Sequence, residues 1–475
     1  MPEFSRRSLL KGTAVAAGAA AVGPVLWTQP GVAATPPSGL HLTYGTDPGR
    51  EMVVSWSTPE SVRNPRLLLG DASGTYGTVV PVESVSSPGL GTVQHHARLT
   101  GLSPDARYFY QAAHDGATSS EFSFNTATPG GSKKGRTVRF TAFGDQGTKD
   151  GKVAPVVPVI NSFDPDLHLH VGDLSYASNS GGLRALESAS DLVYNPSIWD
   201  QWLAGIQPVA ARVPWMPVLG NHEMEPTSSE LGYESYFARF VPPDNGVPHP
   251  VGPTTWSLRV GNVAFVALDG NDASSEIPRN HDYLGGRQEP WLDATLAAYR
   301  SDEQIDWIVV GFHHCAFCSS SRHGSDGGVR DRWTPYFDKH RVDVVINGHN
   351  HMYERTHPLR TGAPGGWAPV GGTVRPETEG TTYLVSGLAT EDEPLPDKTT
   401  APASFYTEYT GVDLGLRVPE TTPWSAYVDE LSPIVICAEA TPRDRSGRTR
   451  LRLAGVDASN GLTVDAVTLE RIQGE

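Results

Sequence analysis

Leu167-His168-Leu169-His170-Val171-Gly172-Asp173-Leu174-Ser175-Tyr176 is the stretch whose reading decides the fold. Residues 167–171 form a short apolar run broken only by two histidines, the pattern of a strand buried on both faces. The run stops at Gly172-Asp173. Four other segments repeat this form: 137–143 ends at Gly144-Asp145, 215–219 at Gly220-Asn221-His222, 307–312 at His313, and 342–346 at Asn347-Gly348-His349. Helical stretches lie between them. One is 288–300, with Trp291, Leu292, Leu296 and Tyr299 on one face, and another is 331–340. Strands alternating with helices predict an α/β fold.

Working outward, residues 35–128 read as an all-β module. Met52 to Ser57 is a strand carrying a buried Trp56, and Arg107 to Ala112 is another. Leu99-Thr100-Gly101-Leu102, with Pro104 and Tyr108, resembles the tyrosine corner of fibronectin-type sandwiches. Residues 129–136 are a linker by composition, and 137–475 form the α/β domain. Further strands are expected at 382–386, 433–439, 448–453 and 464–471, closing the second sheet of that domain. Residues 391–430, rich in Pro, Asp, Glu and Thr, are expected to be loop.

The N-terminus is a targeting segment. Ser5-Arg6-Arg7-Ser8-Leu9-Leu10-Lys11 is a twin-arginine pattern, an Ala-rich run follows, and Val32-Ala33-Ala34 supplies a cleavage site. Residues 1–34 are therefore expected to be a signal peptide read by the twin-arginine translocation machinery. No later stretch approaches the roughly 20 apolar residues of a membrane helix, so a secreted or wall-associated product without a membrane span is expected. The net charge of −16 argues against nucleic acid as the main partner, because phosphate backbones are held by clustered Lys and Arg. An acidic chain still binds phosphate where metal ions supply the positive charge.

In α/β sheets ligands bind outside the carboxyl ends of strands. One Asp there usually only caps a helix. Five endings carrying Asp, Asp, Asn-His, His and His-x-His are hard to explain as caps. Taken in order, the blocks at Asp145, Asp173, Asn221, His313 and Gly348-His349-Asn350-His351 resemble the five motif blocks of the calcineurin-like metallophosphoesterases. Tyr176, the tail Met352-Tyr353-Glu354-Arg355 and the N-terminal module narrow the resemblance to the purple acid phosphatases.

That resemblance spans roughly residues 38–471 and implies a fibronectin type III-like sandwich joined to a four-layer αββα domain. It implies one metal on Asp145, Tyr176 and His351, a second on Asn221, His313 and His349, and Asp173 bridging both. Two carboxylates and a phenolate suit Fe³⁺; two imidazoles and an amide suit a divalent ion, Zn²⁺, Mn²⁺ or Fe²⁺. Such a pair activates a hydroxide for in-line attack on a phosphomonoester. His222 is expected to hold phosphate or protonate the leaving group, and His323 is a second phosphate contact. A phosphodiesterase or nucleotidase on the same core is the alternative. A wall-binding protein with a vestigial phosphatase fold is the remoter one, against which all seven ligand positions stand filled.

Some positions stay open. His314 is an alternative ligand to His313, because Cys315 stands where the family often has Pro. Cys315-Ala316-Phe317-Cys318 reads either as a local disulfide or as two buried thiols. Glu223 and Arg355 are either partners orienting ligands or members of surface ion pairs. His168 and His170 read as hydrogen-bonded core residues, His340 and His357 as helix-end or loop residues, and His41, His95, His96 and His114 as surface residues.

Overall fold

The computed structural model describes residues 35–87, 89–129, 135–148, 155–178, 194–225, 232–248, 252–274, 276, 280–320, 323–388, 406–409 and 417–472. The signal segment and most of the linker lie outside the described residues.

Two seven-stranded mixed sheets face each other in the larger domain. In the first, Val138–Phe143, Leu167–His170 and Trp215–Pro217 run parallel. In the second, Val263–Ala267, Trp307–Gly311, Val344–Asn347 and Thr382–Ser386 do the same. Their inward side chains, among them Phe140, Leu169, Phe265, Val309 and Ile346, merge into one core. Phe140 meets Phe265 edge to face at 5.1 Å, a favoured aromatic geometry.

Helices cover the outer faces. Pro196–Ala210 lays Trp199, Trp202, Leu203 and Ile206 against Phe143 and Trp215 of the first sheet. Asn195 caps it by accepting from Ser197 N at 3.1 Å, and Pro196 takes the first turn, where no amide donor is needed. Gln288–Ser301 and Gly327–His340 cover the second sheet, burying Leu292, Leu296, Trp333 and Phe337. This is the expected four-layer order.

The C-terminal strands depart from expectation. Thr382–Ser386 joins the second sheet, but Ile434–Ala440, Arg448–Asp457 and Thr463–Ile472 extend the first, with Ile434–Ala440 antiparallel to Val138–Phe143. The region 391–430 is also not all loop: strands occupy Tyr406–Tyr409, Arg417–Glu420 and Ser425–Asp429. Polar composition misled here because Ser425–Asp429 is an edge strand, paired among the described residues with Tyr353–Thr356 on one side.

The N-terminal domain is built from two antiparallel sheets, and Tyr108 accepts from Ser103 N at 2.9 Å, fixing the expected corner. Its histidines correct the surface assignment. His41, His95, His96 and His114 are all buried. His41 Nε2 lies 2.8 Å from Arg239 O, and His96 Nε2 lies 3.0 Å from Ala238 O. These rings sit where the domain docks on the larger one, alongside Tyr110, whose hydroxyl donates to Ala211 O at 2.7 Å. His95 instead bridges Thr58 and Ser84 within the sandwich. A strand's own pattern does not show that its second face is covered by another domain.

Candidate metal centre

The carboxyl ends of both sheets meet at one edge. Gly144 N donates to Ser386 O at 2.8 Å, and Gly348 N to His313 O at 3.0 Å. The strand-end loops are crowded enough to require glycine. A Cβ on Gly172 would come within 2.6 Å of His313 Nδ1, on Gly220 within 2.1 Å of Asp173 Oδ1, and on Gly348 within 2.5 Å of Asp145 Oδ2. Asp145, Asp173, Tyr176 and His349 all take positive φ, between 52° and 66°. Non-glycine residues in this region carry strain, which gathers at functional sites.

The candidate ligands converge. Tyr176 Oη lies 3.2 Å from Asp145 Oδ1 and 3.0 Å from His351 Nε2. Burial, then the Asp145 and Asp173 carboxylates, hold the phenol well above its usual range. His313 Nε2 lies 3.2 Å from Asp173 Oδ2 and 3.0 Å from Asn221 Oδ1. Asn221 Oδ1 is in turn 3.1 Å from His349 Nδ1.

The donor set tests whether a cation fits. His313 Nδ1 lies 2.8 Å from Val171 O, which can only accept, so the ring proton sits on Nδ1. His349 Nε2 faces a Glu276 carboxylate oxygen at 2.7 Å, so its proton sits on Nε2. The two remaining ring nitrogens then aim lone pairs at the same amide oxygen and the Asp173 carboxylate. Such a cluster needs positive charge. Against the opposing effect of burial, Asp173 and Asp145 favour a positive charge at His313 Nε2, and a metal ion there would take the place of that second ring proton. The residues therefore fit the metal pair that the motif blocks imply.

His313, not His314, turns toward Asp173 and Asn221. His314 is buried beside His349, 4.6 Å between rings, with neither ring nitrogen hydrogen-bonded among the described residues, and it forms a second candidate metal-binding group with Glu276 and His349. His222 stands at the rim. Its ring is 4.4 Å from that of Tyr176, its backbone N donates to Asp173 Oδ1 at 2.8 Å, and its Nδ1 lies 3.2 Å from Ser178 O. His323 is also brought in, with its ring 4.1 Å from that of His349.

Behind these, Glu223 is fully buried rather than in a surface pair. It accepts from Asp173 N, Leu174 N and Gly220 N at 2.7–2.8 Å. Arg355 is neither a ligand partner nor a surface group: it forms a buried pair with Asp465, Nε to Oδ2 at 2.6 Å. His168 bonds Thr141 Oγ1 at 3.0 Å, whereas both nitrogens of His170 lack a partner among the described residues. His340 binds Asp293, and His357 accepts from Ala368 N at 3.0 Å, as expected of bland positions. Cys315 and Cys318 are buried free thiols. Glu276, which orients His349 and His323, escaped the sequence reading.

Comparison with known proteins bears on the family and the fold. Residues 138–353 match the calcineurin-like phosphoesterase family, 37–126 the purple acid phosphatase N-terminal domain, and 3–23 the twin-arginine translocation pathway signal sequence. An uncharacterized Mycobacterium tuberculosis protein is 35% identical, covering 98% of this chain and 94% of its own length. Purple acid phosphatase 23 of Arabidopsis thaliana is 30% identical over 60% of this chain and 62% of its own. The purple acid phosphatase PPD1 from yellow lupin seeds superposes with a TM-score of 0.68 at 20% identity, covering 92% of this chain and 75% of that one. PhoD superposes with a TM-score of 0.60 at 14% identity, covering 94% and 95%. Likeness at such identities shows the fold.

Proposed function

The chain belongs to the purple acid phosphatase family of calcineurin-like metallophosphoesterases and carries a twin-arginine export signal, and from that premise we propose that it hydrolyses phosphomonoesters outside the cytoplasm. The observation that carries the reading is the shared focus of Asp173: its Oδ2 lies 3.2 Å from His313 Nε2, within a buried group with Asp145.

In this reading Asp145, Tyr176 and His351 would hold a trivalent iron, Asn221, His313 and His349 would hold a divalent ion, and Asp173 would serve both. Bound there, the pair supplies Lewis acidity and neutralises charge on the phosphoryl group. The chain's own groups do the rest. Asp173 is held ionised: burial opposes this, but the His313 and His222 imidazoles draw its pKa well below the usual carboxylate range. With Nδ1–H donated to Ser178 O, a protonated His222 ring gives its Nε2 proton to the departing alkoxide and is left as the neutral Nδ1–H tautomer. His323 lies beside His349 and offers its ring to a phosphate oxygen.

The test compares wild type with Asp173→Asn on a monoester and a diester, side by side. Monoester hydrolysis should dominate, and the variant should lose at least about a hundredfold in kcat/KM, since several kcal/mol of charge stabilisation are removed. Equal hydrolysis by both proteins would overturn the assigned centre. A diester preference would overturn the substrate class while leaving the centre standing.

A further inference from the structure

The CxxC segment has no part in that chemistry, yet it is built with care. Cys315 and Cys318 are fully buried and pack with Met352, in a cluster that includes Val385. Cys318 Sγ lies 3.7 Å from Met352 Sδ, and Cys315 packs in the same buried cluster. The loop is pinned from outside: Cys318 N donates to Ser325 Oγ at 3.1 Å, and Asp326 N to Cys315 O at 2.7 Å. Two donors point at the sulfurs. Asn350 Nδ2 lies 3.3 Å from Cys315 Sγ, and Ser320 N lies 3.5 Å from Cys318 Sγ.

We propose that Cys315, Cys318 and Met352 form a three-sulfur site for one soft monovalent cation, copper(I), separate from the oxygen- and nitrogen-rich centre. Thiolate and thioether donors together select copper(I) over harder ions. The distance fits as well. At 3.7 Å apart, Cys318 Sγ and Met352 Sδ are close enough for one ion to touch both sulfurs.

Charge favours the same reading. Binding forms copper–sulfur bonds and releases the thiol protons to solvent. The Asn350 amide and Ser320 N–H then donate to the resulting thiolates. Without a cation the thiolate is disfavoured, because burial and then the Cys315 thiol and the Glu354 carboxylate push Cys318 well above its usual range. A cation in the pocket removes that penalty. Loading also reaches the hydrolytic centre's backbone, since the Cys315 thiol otherwise donates to Gly348 O at 2.9 Å, one residue before His349.

The test uses the intact, metal-loaded protein under anaerobic conditions. Copper(I) is offered as its bicinchoninate complex, whose visible absorbance falls as the protein takes the metal. One equivalent should transfer per chain, with a new near-ultraviolet sulfur-to-copper absorption, and Cys318→Ser should abolish both. Met352→Leu conserves volume and serves if Cys318→Ser does not fold. It should weaken copper binding at least about tenfold and leave phosphoester hydrolysis unchanged. No transfer to wild type, equal transfer to Cys318→Ser, undiminished binding by Met352→Leu, or a Cys315–Cys318 disulfide in the exported protein would each overturn the proposal. Hydrolysis is assayed on the same samples, so failure of the phosphatase reading registers separately.

Discussion

Glu276 Oε2 stands 2.7 Å from His349 Nε2, and its other carboxylate oxygen stands 3.1 Å from His323 Nδ1. One carboxylate thus orients two imidazoles on the same side of the centre. Burial raises the Glu276 pKa, but the His349 and His323 rings pull it well below the usual range, so it acts as an anion. A carboxylate behind a ligating histidine fixes its tautomer and raises its basicity. Glu276→Gln should therefore lose the divalent ion about 10- to 100-fold more readily to a chelator, with the trivalent ion retained. Metal analysis after timed dialysis reads both. Equal retention of the divalent ion would show that Glu276 only fills space.

His222 gives a prediction that separates acid catalysis from phosphate binding. Its Nε2 lies 4.0 Å from Asp173 Oδ2 at the partly open rim. If it protonates the leaving oxygen, His222→Ala should lose about 10²- to 10⁴-fold in kcat on an alkyl phosphate. On a nitrophenyl ester, whose leaving group needs no proton, the loss should be far smaller. Equal losses on both substrates would assign His222 to phosphate binding instead.

Tyr176 links the ligand set to a colour. Among described residues it makes hydrogen bonds to Asp145 and His351, and in this carboxylate-rich pocket its phenol ionises only against a strong cation. A ferric ion there gives a visible phenolate charge-transfer band, which Tyr176→Phe should abolish while the fold persists. Absorption spectra and iron content of both proteins check this. A colourless wild type with full activity would show that the first metal is not ferric.

The centre was legible because its ligands end strands, where apolar runs give way abruptly to Gly-Asp, Gly-Asn-His or Gly-His-x-His. A Cβ at Gly172, Gly220 or Gly348 would clash with a candidate ligand, so chemistry and steric need mark the same positions. Glu276 comes three residues after the short helix Gly270–Ala273 and carries no such mark. The hairpin Trp256–Val260 with Val263–Ala267 was also missed, although Gly261-Asn262 between two apolar runs is a turn signal, and Gly261 takes φ +55°. Burial of His41 and His96 depends on docking between domains, which neither segment encodes locally. The three long C-terminal strands lie on the first sheet and not on the expected second because Ile434–Ala440 pairs with Val138–Phe143, about 300 residues earlier, and the other two follow it strand by strand.

Glu223 carries the last prediction, which concerns stability more than catalysis. Its carboxylate accepts from three buried backbone amides, those of Asp173, Leu174 and Gly220, and so ties two ligand-bearing loops together. Burial and then Asp173 push its pKa up, and the amides of Leu174 and Gly220 that donate to it oppose that rise. Glu223→Ala would leave three donors without partners in a site closed to bulk water. At about 1–3 kcal/mol for each unsatisfied group, the variant should lose at least about 3 kcal/mol, read as a lower midpoint in urea. Glu223→Gln keeps an acceptor and should recover part of the loss. Metal content should fall with Glu223→Ala even below its unfolding midpoint, since Asp173 N is one of the released donors. An alanine variant as stable as wild type would mean that these amides find other partners.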